Sequence, residues 1–75
     1  MRINDSINND ILKALGEHRG GMPASDISRL TGVRYDIVNE HIEYLKRHDN
    51  IETSAVQAKN PNATDSAWEY FCVKK

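Results

Sequence analysis

The apolar residues of this 75-residue chain change their spacing once. Up to Leu45 they recur every three or four positions, and from Ile51 onward they recur every second position. A period of about 3.6 marks an amphipathic helix and a period of about 2 a half-buried strand, so the chain is expected to fold as helices followed by a β-hairpin. The expected fold class is α+β, with three helices and a C-terminal two-stranded β-hairpin in a single domain over residues 1–75.

Ile7, Ile11, Ala14 and Leu15 set the first helix over about 6–16, with Asp5 or Ser6 as its N-cap and Gly16 near its stop. Met22 is a lone apolar residue suited to a short edge strand, and Pro23 suits the first turn of a second helix over about 23–31. Ile27 and Leu30 are its inward residues, Gly32 is the turn and Val33 its apolar plug. A third helix over about 35–48 carries Val38, Ile42 and Leu45 as one narrow stripe. IETSAVQA and AWEYFCVK read as strands over about 51–58 and 67–74, joined by KNPNATDS. In the last strand Phe71 and Val73 share a face with Glu69, and Trp68, Tyr70 and Cys72 share the other. Phe71 and Val73 are expected to cover the helices.

A chain of this length has one compact core, and no repeat or linker divides it. Ten Lys and Arg against eleven Asp and Glu give a formal net charge of −1, so binding to a polyanion needs a local patch. Cys72 is the only cysteine, which excludes an internal disulfide and a thiolate zinc cluster and suits a reduced, cytoplasmic setting. MRINDSINND lacks the apolar core of a signal peptide, and no apolar run nears the roughly 20 residues that span a bilayer, so no membrane partner is expected. No phosphate loop and no nucleophile with a base stand in a recognisable context; the chain does not read as an enzyme, and no cofactor is implied. His41 and His48 lie seven positions apart on one helix, too far to share a zinc, and read as partly packed flank residues.

On the same helical wheel Asp36, Glu40, Glu43 and Arg47 lie opposite the apolar stripe of the third helix. Glu43 and Arg47 stand in the favourable i, i+4 order, whereas Asp36 and Glu40 repel at that spacing.

The stretch DILKALGEHRGGMPASDISRLTGVRYDIVNEHIEYLKRHDNIET, followed by YFCV, resembles the winged helix-turn-helix domain of bacterial and phage transcription regulators. The resemblance covers nearly the whole chain, with ILKAL as first helix, DISRLTGV as second helix and turn, and VNEHIEYL as third. It implies sequence-specific binding to double-stranded DNA, with the start of the third helix in the major groove and the hairpin as a wing on phosphates or the minor groove. Carried onto this sequence, the readers are Arg34, Tyr35, Asp36, Asn39, Glu40 and Glu43. Arg34 suits guanine and Asn39 adenine, Lys46 lies on the helix flank, and Lys59 and Asn60 at the wing tip suit phosphate. It also implies a homodimer on a two-fold site.

The acidic side of the third helix keeps another reading open. In it the same fold binds a protein, a second copy or a partner regulator, through Glu40, Glu43, Tyr44, Trp68 and Tyr70. Charge reversal on the third helix separates the two readings.

Overall fold

The computed structural model describes residues 3–57 and 68–75. Helix α1 spans Asp5–Glu17, strand β1 Met22–Pro23, helix α2 Ala24–Thr31, helix α3 Tyr35–Arg47, strand β2 Ile51–Gln57 and strand β3 Trp68–Lys74. The strands form one antiparallel sheet in the order β1-β3-β2. The α+β class and the three helices are as expected. The sheet has three strands, not two, because Met22 and Pro23 pair with Cys72 and Phe71.

Helix α1 begins one residue earlier than its spacing suggests. Its cap is Asn4, neither Asp5 nor Ser6: the Asn4 Oδ1 accepts the N–H groups of Ser6 at 2.8 Å and Ile7 at 3.3 Å. A side chain one position ahead of the helix reaches the exposed N–H groups of its first turn best. The helix runs through Gly16 to Glu17, and its Ile11, Ala14 and Leu15 are buried. Gly21, at φ +91°, then turns the chain into β1.

Pro23 is the residue before α2 and also the end of β1, outside the helical turn assigned to it by the sequence. Ala24 and Ile27 are the buried positions of α2. Leu30 is not inward, being 55 % exposed. In a helix of only eight residues, Ala24 and Ile27 already fill the contact with the core, and Leu30 falls on the flank. Gly32 closes α2 in the left-handed region at φ +75°, where its N–H reaches the Ser28 carbonyl at 2.9 Å. The Ser28 hydroxyl donates to the Val33 carbonyl at 2.5 Å, and Val33 packs half-buried against the core.

Helix α3 buries Val38, Ile42 and Leu45 as its spacing requires, and His41 as well. His41 is wholly enclosed, not a partly packed flank residue. Its Nε2 accepts the Asn4 N–H at 3.0 Å and its Nδ1 faces the Ile37 carbonyl at 2.7 Å, so α3 grips the entry to α1. Past the helix, Asp49 adopts φ +63°, and the Asn50 N–H returns to the Leu45 carbonyl at 2.9 Å. This wraps the chain directly into β2.

The face of β3 that meets the helices is the one carrying Cys72, not the one carrying Phe71 and Val73. Cys72 is wholly buried opposite Met22 and Thr53, whereas Phe71 and Val73 are half-buried on the other face, over Gly21. Register decides this, because pairing Met22 with Cys72 puts Met22, Cys72 and Ile51 into one core with Ile11, Leu15, Ile27 and Leu45.

Candidate nucleic-acid interface

Three residues, Gly32, Val33 and Arg34, join α2 to α3. The tight left-handed Gly32 turn leaves Arg34 and Tyr35 exposed at the start of α3. The Arg34 guanidinium meets the Asp36 carboxylate at 3.2 Å, and both side chains are open to water. Such an exposed pair holds with little energy, and Arg34 is readily released to another acceptor.

The flank of α3 that carries Tyr35, Asn39, Glu43 and Lys46 turns toward the sheet. The Tyr70 hydroxyl of β3 donates to Glu43, and the Lys46 ammonium lies 5.7 Å from the centre of the Tyr70 ring. Toward the start of α3 the two elements diverge into an open groove of about 330 Å3, lined by Tyr35, Asn39, Ala55, Trp68, Glu69 and Tyr70. Trp68 is 63 % exposed at its edge and Tyr35 40 %. The Asn39 Oδ1 is shielded from solvent with no hydrogen-bond partner among the described residues.

The sequence-based site residues are therefore redistributed. Tyr35 and Asn39, read as nucleic-acid contacts, share one groove with Trp68 and Tyr70, read as a protein surface. Tyr44 is no part of it: that ring packs half-buried against the core, 4.2 Å from the His48 ring. Glu43 is held by Tyr70, and the expected Glu43–Arg47 bridge is not among the ion pairs of the described residues. Asp36 is exposed and Glu40 half-buried. Lys59 and Asn60 lie outside the described residues.

Glu69 was not singled out by the sequence, yet it ties the groove wall to α2. It is 6 % exposed, and its Oε1 accepts the Ser25 N–H at 2.8 Å. A charged residue set between Trp68 and Tyr70 in an otherwise apolar strand was the available signal. A carboxylate so enclosed needs donors, and the N-terminus of a helix supplies them.

Burial, and then the negative charge of Glu69, push the Cys72 thiol up to about 12, so it is no nucleophile. Among the described residues no group of three or more His, Cys, Asp or Glu is placed to hold a metal ion, and no helix is long and apolar enough to cross a membrane. Compared with protein-family models, curated proteins and solved structures, the chain finds no match in any of the three.

Proposed function

We propose that this chain is a winged helix-turn-helix domain that binds double-stranded DNA and regulates transcription, with α3 as the reading helix and β2 and β3 as the base of the wing. The observation that carries this reading is the α2–Gly32–α3 corner beside the sheet. It presents Arg34 and Tyr35 at an exposed helix start, with Asn39 one turn further along. Arg34, freed from Asp36, offers a fork of donors to guanine, and Asn39 pairs with adenine once its shielded amide oxygen turns out of the groove. Lys46 supplies charge for phosphate from the flank, while Lys59 and Asn60, expected from the sequence to contact phosphate, lie outside the described residues. Asp36 and Glu40 then act against nonspecific binding, since carboxylates facing a duplex repel its phosphates. The setting is that of a cytoplasmic regulator.

The aromatic character of the groove favours a second reading, in which the domain binds a partner regulator. Tyr35, Trp68 and Tyr70 line it, Trp68 is mostly exposed, and Lys46 has Glu43 near it on the same flank. Large exposed aromatics beside acidic groups suit a protein surface at least as well as a phosphate backbone.

Binding to genomic fragments, followed by fluorescence anisotropy at low and moderate salt, tests the choice. Under the DNA reading Arg34→Ala loses specific affinity by about 1 to 3 kcal/mol. Glu40→Lys strengthens binding to random DNA and steepens the salt dependence by roughly 0.9 in the logarithmic slope. Glu40 is the cleaner position for charge reversal, because Glu43 also holds Tyr70. Failure of the unaltered protein to retard any fragment at low salt overturns the DNA reading in favour of the partner reading.

A further inference from the structure

The two edges of the sheet are built differently. β1 closes one side with only two residues, one of them a proline that lacks an N–H. Shortness and proline are common means of keeping an edge from recruiting another strand. β2 closes the other side with seven residues, IETSAVQ, paired to β3 without a break from Ile51↔Lys74 to Gln57↔Trp68. It carries no proline, no lysine and no bulge, and its one charge is Glu52.

The direction of its backbone groups follows from one hydrogen bond. The Asn50 carbonyl accepts the Lys75 N–H at 3.3 Å across the β2–β3 register, so the backbone of Asn50 faces β3. Direction alternates along an antiparallel strand, so Glu52, Ser54 and Val56 bond toward β3, and Thr53, Ala55 and Gln57 present their N–H and C=O groups to the open side, whereas Ile51 is buried. Among the described residues no strand lies on that side.

We propose that this edge pairs with the β2 edge of a second copy of the chain, antiparallel about a two-fold axis at Ser54, joining two three-stranded sheets into one of six. The strand is complementary to itself in that register. Thr53 comes opposite Ala55 of the second copy, so the outward N–H and C=O groups of each meet those of the other, and the pairing ends short of the buried Ile51. Glu52 falls opposite Val56, which keeps the two carboxylates apart, and only Ser54 meets its own copy. Like charges directly opposite would oppose the pairing, and this register has none. The contact is narrower than a standard interface of roughly 1,200 to 2,000 Å2, so association belongs in the micromolar to millimolar range. The dimer uses no residue of α3 and shares only Ala55 with the lining of the aromatic groove, and it stands or falls without DNA.

Sedimentation equilibrium of the full chain over that range, together with amide hydrogen exchange, tests it. The expected result is a mass that rises from monomer to dimer, with the Thr53 and Ala55 amides gaining protection as the dimer fills. Ser54→Lys sets two ammonium groups opposite each other at the axis and is expected to weaken association roughly fivefold or more while leaving the far-ultraviolet circular dichroism unchanged. Ala55→Pro removes an outward donor without touching a β2–β3 bond and is expected to yield a folded monomer. Should the proline variant unfold, Ser54→Lys decides. A mass that stays monomeric throughout overturns the proposal. So does a dimer indifferent to Ser54→Lys, or one that Trp68→Ala dissolves.

Discussion

Glu69 on β3 holds the start of α2: its carboxylate accepts the Ser25 N–H at 2.8 Å across 44 residues of sequence. Pro23, the residue ahead of α2, has no side chain able to cap, so the strand supplies what the helix lacks. Glu69→Ala leaves the Ser25 N–H without its acceptor and is expected to cost about 1 to 3 kcal/mol in urea unfolding. Glu69→Gln keeps an oxygen acceptor but loses the favourable charge at the helix N-terminus, and its cost should be smaller. Equal stability of the alanine variant and the parent would contradict this role.

Gly21 cannot carry a side chain. At φ +91° a Cβ would stand 2.7 Å from Phe71 Cε1, 2.7 Å from Val73 Cγ2 and 2.8 Å from the Cys72 carbonyl oxygen. Gly21→Ala combines backbone strain with overpacking and is expected to lose roughly 2 to 4 kcal/mol. Gly32 is the control. Nothing lies within 4 Å of its would-be Cβ, so Gly32→Ala meets only the left-handed φ and should lose about 1 kcal/mol. Thermal melts of the two variants compare them directly.

His41 joins α3 to the Asn4 cap through Nε2, while its Nδ1 faces the Ile37 carbonyl within α3. Because Nε2 accepts from the Asn4 N–H, the ring proton belongs on Nδ1, where it donates to the Ile37 carbonyl. Nitrogen-15 shifts of the imidazole are expected to show this tautomer. His41→Leu keeps the bulk but strands the Asn4 N–H, with an expected loss of about 1 to 3 kcal/mol. Loss of hydrogen-exchange protection at the start of α1 should accompany it.

The thiol of Cys72 makes the fold sensitive to alkali. Folded, it ionises near 12, and its ordinary value is 9.0. Below pH 9 neither state has lost the proton, and this group leaves stability flat. Between pH 9 and 12 the unfolded chain is ionised and the folded one is not, so stability falls by about 1.4 kcal/mol per pH unit. Above 12 the slope from this group vanishes. Cys72→Ala is expected to start less stable and to lose less between pH 9 and 12, the difference in slope isolating the thiol from other titrating groups. Alkylation of the parent protein at neutral pH should proceed only as fast as the chain unfolds.

Local pattern was enough for the elements. The spacing of Ile11, Ala14 and Leu15, of Val38, Ile42 and Leu45, and the alternation after Ile51 each report which residues share a face, and that needs only the helix and strand periods. Gly32 as a turn was equally plain, since a left-handed corner favours the residue without a Cβ. Which face of β3 turns inward was not, because Phe71 and Val73 on one face and Tyr70 and Cys72 on the other are both apolar. The choice came from the pairing of Met22 with Cys72, a contact between strands 50 positions apart by their register. The burial of His41 and Glu69 was likewise decided by partners remote in sequence, the Asn4 and Ser25 N–H groups. Arg34, Tyr35, Asn39 and Trp68 could each be singled out from the sequence. Only packing α3 against the sheet brought Tyr35 and Asn39 into one groove with Trp68, because the distance between a helix flank and a strand end is a property of the whole core and of no single segment.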